Sequence, residues 1–344
     1  MATFKTLPTR SLGRNGPLVP RVGLGLMGAS GIYGTITPEN ARFELLDDAY
    51  NRGERFWDTS SSYGDSEEIL GKWFAANPEK RKDIFLATKF GIRHTDTFPG
   101  FTVSSTPEYC RESIESSLSL LGLSSIDLFY IHRLDRVTPI EKTMEVMVEL
   151  KNAGKIKYIG LSECSAESLR RAYAVHPITC VQMEYSLLCT EVESPERKFL
   201  ETARELGVAV VCYSPLANGL LTGGLRLIAD VDSLGNRRSV LPWLQEAVLE
   251  KNIEILNQIS EIAKLRNITT AQLALAWLLA QGDDIFPIPG SSKIQRHEEN
   301  LGSLFVDLSE EEEKELRQLG EEVVGGRFQE TTGYAFADTP ALEE

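Results

Sequence analysis

Eight short apolar segments alternate with segments of helical periodicity, and this alternation predicts an α/β fold, a single (β/α)8 TIM barrel. The apolar segments are hydrophobic on both faces, as parallel strands covered by helices should be. Several end in a titratable residue, and the ends of parallel barrel strands converge on one face. We expect residues 1–344 to form one barrel domain with an N-terminal hairpin, a long loop after the seventh strand and a C-terminal tail.

The predicted strands are separated by helix-length segments. They cover residues 21–26, 55–59, 84–89, 126–132, 156–161, 179–184, 208–213 and 285–289. The helical segments between and after them cover residues 38–52, 66–76, 107–121, 139–153, 166–174, 195–206 and 247–281. A further helix is predicted at 309–320, where Ser309 and Glu312 have capping-box spacing.

Local start and stop signals support these helices. The pairs Thr37-Pro38, Thr106-Pro107 and Thr138-Pro139 are typical of an N-cap residue followed by proline in the first turn. Glycine follows several helices at the position that favours a left-handed C-cap, namely Gly53, Gly122, Gly154, Gly207 and Gly282.

The composition argues against several classes of partner. The net charge of −14 disfavours binding to nucleic acid or to an anionic membrane surface. No apolar run approaches the roughly 20 residues that span a bilayer, and the first residues lack the apolar core of a signal peptide. We therefore expect a soluble, reduced, cytoplasmic protein; its oligomeric state cannot be predicted.

The cysteines give no indication of a metal site. None of the five is part of a paired spacing such as CxxC, and three lie in or beside apolar runs, which is typical of buried free thiols. The five are Cys110, Cys164, Cys180, Cys189 and Cys212.

The segment from Gly23 to Gly28 matches a dinucleotide-binding GxGxxG motif, but its context is wrong. Such a motif needs a helix that opens within the glycine turn. Here the next helix is predicted to begin only near Pro38, and Asp47 and Asp48 then fall inside it. We therefore disfavour a Rossmann fold.

Four polar residues stand where apolar strands run out. Asp58 ends the second predicted strand and Tyr63 follows in its loop, while Lys89 and His132 end the third and fourth strands. Singly each residue could be structural, as a turn cap, a loop aromatic, a surface ion pair or a satisfied histidine. Together they predict one catalytic site at the carboxyl end of the barrel.

The segments around these residues resemble the aldo-keto reductase family over essentially the whole chain. The matching runs are Asp58–Gly64, Thr88–Gly91, Asp127–His132 and Gly154–Ser162. The nearest branch is the one that holds pyridoxal reductases and perakine reductase. The resemblance implies a barrel, NADPH as cofactor, and reversible reduction of an aldehyde or ketone.

The implied roles agree with the chemistry of these side chains. Carbonyl reduction needs a hydride from a nicotinamide and a proton on oxygen. Tyr63 can donate that proton if its pKa of about 10 is lowered, which the ammonium of Lys89 would do while Asp58 holds Lys89 in place. His132 can donate a hydrogen bond to the carbonyl oxygen. The histidines His94, His176 and His297 have no such context and are expected in loops or on the surface.

Further residues are expected to bind the cofactor. Ser162 and Gln182 end the fifth and sixth strands, where the family binds the nicotinamide carboxamide, and Tyr213 ends the seventh, where an aromatic ring stacks on the nicotinamide. Many relatives carry asparagine after that serine, and here the residue is Glu163, which can accept but not donate. The pyrophosphate path would be lined by Ser214, Leu216, Gly219 and Leu221.

After the eighth strand, the sequence predicts an anion site at a helix start. Backbone amides, a hydroxyl and two cations favour a phosphate on the ribose, and hence NADPH over NADH. The residues are Gly290, Ser291, Lys293, Arg296, Glu299 and Asn300.

Two other functions remain open at this point. One is an NADPH-binding sensor or regulatory subunit with little turnover, and the other is a Schiff-base aldolase or lyase that uses Lys89. The small-molecule carbonyl substrate cannot be named, because the loops expected to select it, 28–36, 217–246 and 325–344, follow no readable pattern.

Overall fold

The computed structural model describes residues 6–31, 36–95, 100–224, 241–327 and 333–343. Within these residues an eight-stranded parallel sheet runs in chain order, with no strand out of sequence. Its strands are β3 (Leu24–Gly25), β4 (Phe56–Asp58), β5 (Phe85–Phe90), β8 (Ile126–Ile131), β9 (Ile156–Ser162), β10 (Cys180–Glu184), β11 (Ala209–Tyr213) and β12 (Ile285–Pro287). All eight predicted strands are confirmed.

The sheet closes on itself, as a barrel requires. Gly23 N donates to Pro287 O at 2.9 Å and Gly25 N donates to Pro289 O at 3.2 Å. Gly25 also pairs in parallel with Gly290. The first and last strands are therefore neighbours, and the predicted (β/α)8 barrel is confirmed.

The remaining strands form two short antiparallel hairpins. β1 (Thr9–Ser11) pairs with β2 (Leu18–Pro20), and β6 (Ile92–His94) pairs with β7 (Phe101–Val103). In the first hairpin, Leu12 and Val19 are buried with inward-facing residues of the barrel such as Phe56. This N-terminal hairpin fills the amino end of the barrel, so the carboxyl end is left for a site.

The helices follow the strands and pack around the sheet. They are α1 (Glu39–Asn51), α2 (Ser66–Ala76), α3 (Pro107–Leu121), α4 (Ile140–Asn152), α5 (Ala166–Val175), α6 (Phe199–Leu206), α7 (Glu246–Leu265), α8 (Thr270–Ala280), α9 (Ile294–Gly302) and α10 (Glu310–Glu322). No helix among the described residues is both long and apolar enough to cross a bilayer.

The single helix predicted over 247–281 is wrong, because the chain forms two helices there. Asn267 has a φ of 56°, which ends α7, and Thr269 and Gln272 form a capping box that starts α8. The apolar periodicity continues across this break, so the pattern alone could not reveal it.

The predicted helix caps have mixed outcomes. The Thr106 hydroxyl accepts from Tyr109 N at 3.3 Å, and the Ser309–Glu312 capping box is present. Thr37 and Thr138 are not N-caps, because α1 and α4 begin one residue later. The Thr138 hydroxyl donates instead to Asp135 Oδ2 at 2.8 Å.

One glycine is required beneath the site. A Cβ on Gly160 would lie 2.5 Å from the ring of Tyr130, whose side chain is fully buried inside the barrel. The hydroxyl of Tyr130 lies 3.3 Å from the sulfur of Cys180. All five cysteines are buried and free, including the three for which the sequence predicted this.

Candidate active site

Asp58, Lys89 and Tyr63 form a contiguous hydrogen-bonded set at the carboxyl ends of β4 and β5. Lys89 Nζ donates to Asp58 Oδ1 at 2.5 Å, to Thr59 O at 2.7 Å and to Tyr63 OH at 3.3 Å. The side chains of Lys89 and Asp58 are 0% and 2% exposed. The lysine therefore uses its three N–H donors on this set, and its charge is held next to the tyrosine hydroxyl.

His132 lies on the other side of Tyr63, just beyond β8. The two rings meet edge to face, with centroids 5.8 Å apart and planes at 82°. His132 Nδ1 lies 3.1 Å from Ser60 Oγ. The loop after β4 thus supplies both Tyr63 and a hydroxyl that orients the imidazole.

Burial and charge act in opposite directions on these groups. Burial raises the pKa of Tyr63 and the ammonium of Lys89 only partly offsets it, so the expected net lowering of this pKa is wrong. Burial alone would lower the pKa of Lys89, but Asp58 and Tyr63 outweigh it, and the pKa is raised. Burial, with Arg133 and Lys89, holds the pKa of His132 well below its usual value, so the imidazole is neutral at pH 7.

A cavity of about 500 Å³ opens at the carboxyl end of the barrel. It extends from Tyr63, past the loop after β11, to the start of α9. Predicted site residues that line it are Asp58, Tyr63, Gln182, Tyr213, Ser214, Leu216, Gly219, Gly290, Ser291, Arg296, Glu299 and Asn300. The volume is in the range of pockets that hold small molecules and cofactors.

Five predicted site residues lie outside the cavity wall. Lys89 and His132 do not line the cavity, but both contact Tyr63, which does. Ser162 is buried at the end of β9, Leu221 is buried in the apolar core, and Lys293 is exposed beside the start of α9.

Gln182 and Ser162 have partners that the sequence did not predict. Gln182 Nε2 donates to Asp58 Oδ2 at 2.9 Å, which uses one of its two amide hydrogens. The Ser162 hydroxyl accepts from Arg133 at 3.1 Å. Arg133, the buried residue directly after His132, was missed, although its place at a strand end could have drawn attention to it.

The segment before α9 has the properties of an anion site. The Ser291 hydroxyl accepts from Lys293 N at 3.0 Å and donates to Lys293 O at 2.7 Å, which shapes the turn into the helix. Lys293 makes no side-chain cap, so the first backbone amides of α9 stay available. Within the described part of the chain, neither Lys293 nor Arg296 forms an ion pair. An unpaired cation at a helix start suits a phosphate.

Glu163 does not behave as a substitute for the expected asparagine. Its carboxylate binds Arg327 at 2.5 Å and accepts from Tyr213 OH at 3.0 Å. Arg327 lies in the C-terminal tail, which shows no periodicity, and no sequence signal pointed to it.

His297 is buried, so its expected place on the surface is wrong. It lies on the inner side of α9, where burial lowers its pKa to about 4. His94 is exposed, although its Nε2 lies 2.8 Å from Ser62 O in the loop that carries Tyr63.

The loops expected to select the substrate lie partly outside the described residues. The parts of these loops outside the described residues include 32–35, 225–240 and 328–332. Among the residues that are described, no three His, Cys, Asp or Glu side chains group as a metal site would require.

Comparison with known proteins identifies the family of this chain. The model of the Aldo/keto reductase family matches residues 21–321. Aldo-keto reductase str7 of Strobilurus tenacellus is 45% identical over 344 residues, which cover 98% of this chain and 99% of that protein. Aldo-keto reductase yakc of Schizosaccharomyces pombe, whose name carries the label NADP(+), is 43% identical over 342 residues, with 98% and 99% covered.

A solved structure extends the likeness to three dimensions. The crystal structure of the thermostable aldo-keto reductase Tm1743 in complex with the inhibitor epalrestat matches with a TM-score of 0.70 at 30% identity. The match covers 91% of this chain and 100% of that one. The family match over most of the barrel and the full-length relatives lead to one conclusion: this chain belongs to the aldo/keto reductase family.

Proposed function

We propose that this chain is an NADPH-dependent oxidoreductase that reduces an aldehyde or ketone to the alcohol, with Tyr63 as the proton donor. The observation that carries the proposal is the position of the Tyr63 hydroxyl. Tyr63 lines the cavity, its hydroxyl lies 3.3 Å from Lys89 Nζ, and its ring packs at 82° to the ring of His132. Membership of the family supports the same chemistry.

The four side chains divide the work of protonating a carbonyl oxygen. The substrate oxygen lies between Tyr63 and His132, and Tyr63 transfers its proton as the oxygen gains charge. Lys89 stabilises the tyrosinate that forms, and Asp58 keeps Lys89 charged and in place. His132 is neutral and donates from Nε2 when the Ser60 hydroxyl donates to Nδ1, so it can share the charge on the oxygen.

The residues of the cavity fit a nicotinamide dinucleotide. A bound NADPH would supply the hydride. Tyr213 and the carbonyl oxygen of Gln182 would contact the nicotinamide end, and Ser214, Leu216 and Gly219 the middle. Arg296 and the amides at the start of α9 would hold the ribose phosphate, in line with the NADP(+) label on one relative.

A Schiff-base mechanism through Lys89 is disfavoured. An amine must lose its proton to attack a carbonyl, and the pKa of Lys89 is raised by Asp58 and Tyr63 despite its burial. Its nitrogen is also fully engaged with Asp58, Thr59 and Tyr63. A sensor with little turnover would not need this complete set, so we propose an enzyme.

The decisive experiment is NADPH oxidation by Tyr63→Phe across a panel of aldehydes, ketones and pyridoxal. Removal of the hydroxyl should lower kcat by roughly a hundredfold or more, the scale of general acid catalysis, with NADPH still bound. Tyr50→Phe is a matched control, because its hydroxyl contacts Asp83 on the outside of the barrel. Near-normal turnover by Tyr63→Phe would contradict the assignment, and wild-type protein that binds NADPH without turning over any carbonyl would favour the sensor.

A further inference from the structure

A buried charged cluster lies beside the cavity at the carboxyl ends of β9 and β10. Arg327, with a fully buried side chain, binds Glu163 at 2.5 Å and Glu184 at 3.1 Å. The side chains of Glu163 and Glu184 are 0% and 4% exposed. Desolvation of such groups often offsets their attraction, so stability alone is a weak reason for this cluster.

The cluster meets the cavity at the hydroxyl of Tyr213. This hydroxyl donates to Glu163 Oε1 at 3.0 Å and accepts from Arg327 at 3.1 Å. The ring itself lines the cavity. Because the donor and an acceptor position of the phenol are both engaged, the ring is held in one direction at the cavity wall.

Glu163 cannot move independently of this arrangement. Its backbone is in the left-handed region, with a φ of 51°. Its N–H donates to Gln182 O at 3.1 Å and its carbonyl accepts from Ala337 N at 2.7 Å. The carboxylate also accepts from Glu184 N at 3.1 Å. The acceptor for the Tyr213 hydroxyl is therefore fixed by strands on one side and by the C-terminal tail on the other.

A later residue of the C-terminal tail, Phe336, packs against Arg327. Phe336 lies over the Arg327 guanidinium at 5.3 Å and packs edge to face with Phe199. Further along, Arg171 donates to Thr339 O at 2.8 Å and to Pro340 O at 2.7 Å. The C-terminal tail thus covers the cluster and is bound to the outer helices.

We propose that Glu163 and Arg327 are positioning residues that hold the Tyr213 ring in the orientation needed to stack the nicotinamide for hydride transfer. The inference rests on the proposed function, since it requires a nicotinamide against Tyr213. It makes the C-terminal tail a part of the cofactor site, and it gives Glu163 a role different from that of the asparagine found in many relatives.

The test is a double-mutant cycle between Tyr213→Phe and Arg327→Met. Tyr213→Phe removes only the hydroxyl, and Arg327→Met removes the group that holds it. Each single variant should lower kcat about tenfold to a hundredfold, since a small misplacement of reacting atoms has effects of this size. The primary isotope effect with deuterated NADPH should rise in both. The double variant should be no slower than the slower single variant, because Tyr213→Phe already removes the hydrogen bond that Arg327→Met breaks.

A second readout does not depend on turnover. The circular dichroism band of bound NADPH near its absorption maximum reports the surroundings of the nicotinamide ring. It should change alike in Tyr213→Phe and Arg327→Met. Arg111→Met is the matched control, because its guanidinium pairs with Glu149 between α3 and α4 and contacts neither the tail nor Tyr213. This control should keep the band, kcat and the isotope effect of the wild type.

Loss of Arg327 leaves the buried carboxylates of Glu163 and Glu184 without this cation, which can prevent folding. Glu163→Gln therefore serves as the second variant if Arg327→Met does not fold. It removes the charge, keeps the shape, and should weaken the hold on the hydroxyl and change the band. An unchanged circular dichroism band and isotope effect in Tyr213→Phe would overturn the inference. So would an effect of Arg327→Met on kcat that is equally large in the wild type and in Tyr213→Phe. Either result with Tyr63→Phe inactive would leave the proposed function standing, whereas an active Tyr63→Phe would refute that function itself.

Discussion

Replacing Lys89 with methionine should shift the pH dependence of alcohol oxidation to higher pH. Oxidation needs the tyrosinate form of Tyr63, and the ammonium 3.3 Å away favours that form. A unit charge at this distance contributes about 5 kcal/mol at an effective dielectric constant of about 20, which is at most about 3.7 units in the pKa of Tyr63. The true shift is smaller, because Asp58, left without its cation, takes up a proton and loses its own opposing charge.

The sign of the change is fixed by the groups involved. The pKa of Tyr63 is already raised by burial, and loss of Lys89 raises it further. A smaller fraction of the enzyme then carries tyrosinate at any given pH. The rising limb of kcat/KM for oxidation should therefore move to higher pH in Lys89→Met.

The assay is kcat/KM for oxidation of an alcohol substrate from about pH 6 to 11, with folding checked by circular dichroism. Lys89→Met leaves Asp58 buried without a cation, and breaking a buried ion pair in this way costs about 3–5 kcal/mol of stability. The variant Asp58→Asn/Lys89→Met removes both charges at nearly constant volume and should be more stable. Its rising limb of kcat/KM should be shifted to higher pH, as in Lys89→Met. A folded Lys89→Met enzyme with the wild-type limb would refute the reasoning and make Lys89 a structural residue.

Two further predictions concern α9. Arg296→Ala should weaken the binding of NADPH about tenfold to a hundredfold and leave the binding of NADH nearly unchanged, because a charge-assisted hydrogen bond to the extra phosphate contributes about 1.5–3 kcal/mol. The dissociation constants of both cofactors check this. Equal weakening of both would assign Arg296 to the shared pyrophosphate. His297 has a pKa of about 4, below its unfolded value of about 6.5, so its contribution to stability is lost as the pH falls through this window. Denaturant titrations at about pH 7 and pH 4 give the loss of unfolding free energy between these two pH values, and His297→Gln should reduce that loss by about 3 kcal/mol. The same loss in wild type and variant would count against a buried neutral imidazole.

The barrel could be predicted because its signals are local. Each strand is a short apolar run, each helix has its own periodicity, and parallel connection brings the strand ends to one face. Asp58, Lys89 and His132 needed no knowledge of distant contacts to be placed there. The burial of His297 also had a local signal, since Ile294, His297 and Leu301 follow the spacing of one helix face. The charged neighbours Arg296 and Glu298 hid it.

The rest of the site depends on contacts between distant parts of the chain. Arg327 reaches Glu163 across 164 positions from a tail without periodicity. The net pKa of Tyr63 could not be predicted either, because it depends on how completely the folded chain excludes water from the hydroxyl. Arg133 and Ser60 act through hydrogen bonds whose geometry only the closed barrel defines.

The closure between β3 and β12 has a consequence for how the barrel opens. Residues 287 and 289 turn their carbonyls towards β3, while Ile288 N faces the other way and donates to Cys212 O. Both flanking residues are prolines and have no N–H, so neither can donate a hydrogen bond back to β3. The β12 side of this seam therefore has few backbone donors, and the seam joins the first strand of the barrel to the last. A molecule bound across Gly25 and Gly290 would contact both strands of this seam and stabilise their pairing. Cofactor binding should therefore slow amide hydrogen exchange at Gly23 and Gly25 more than at the other strand boundaries.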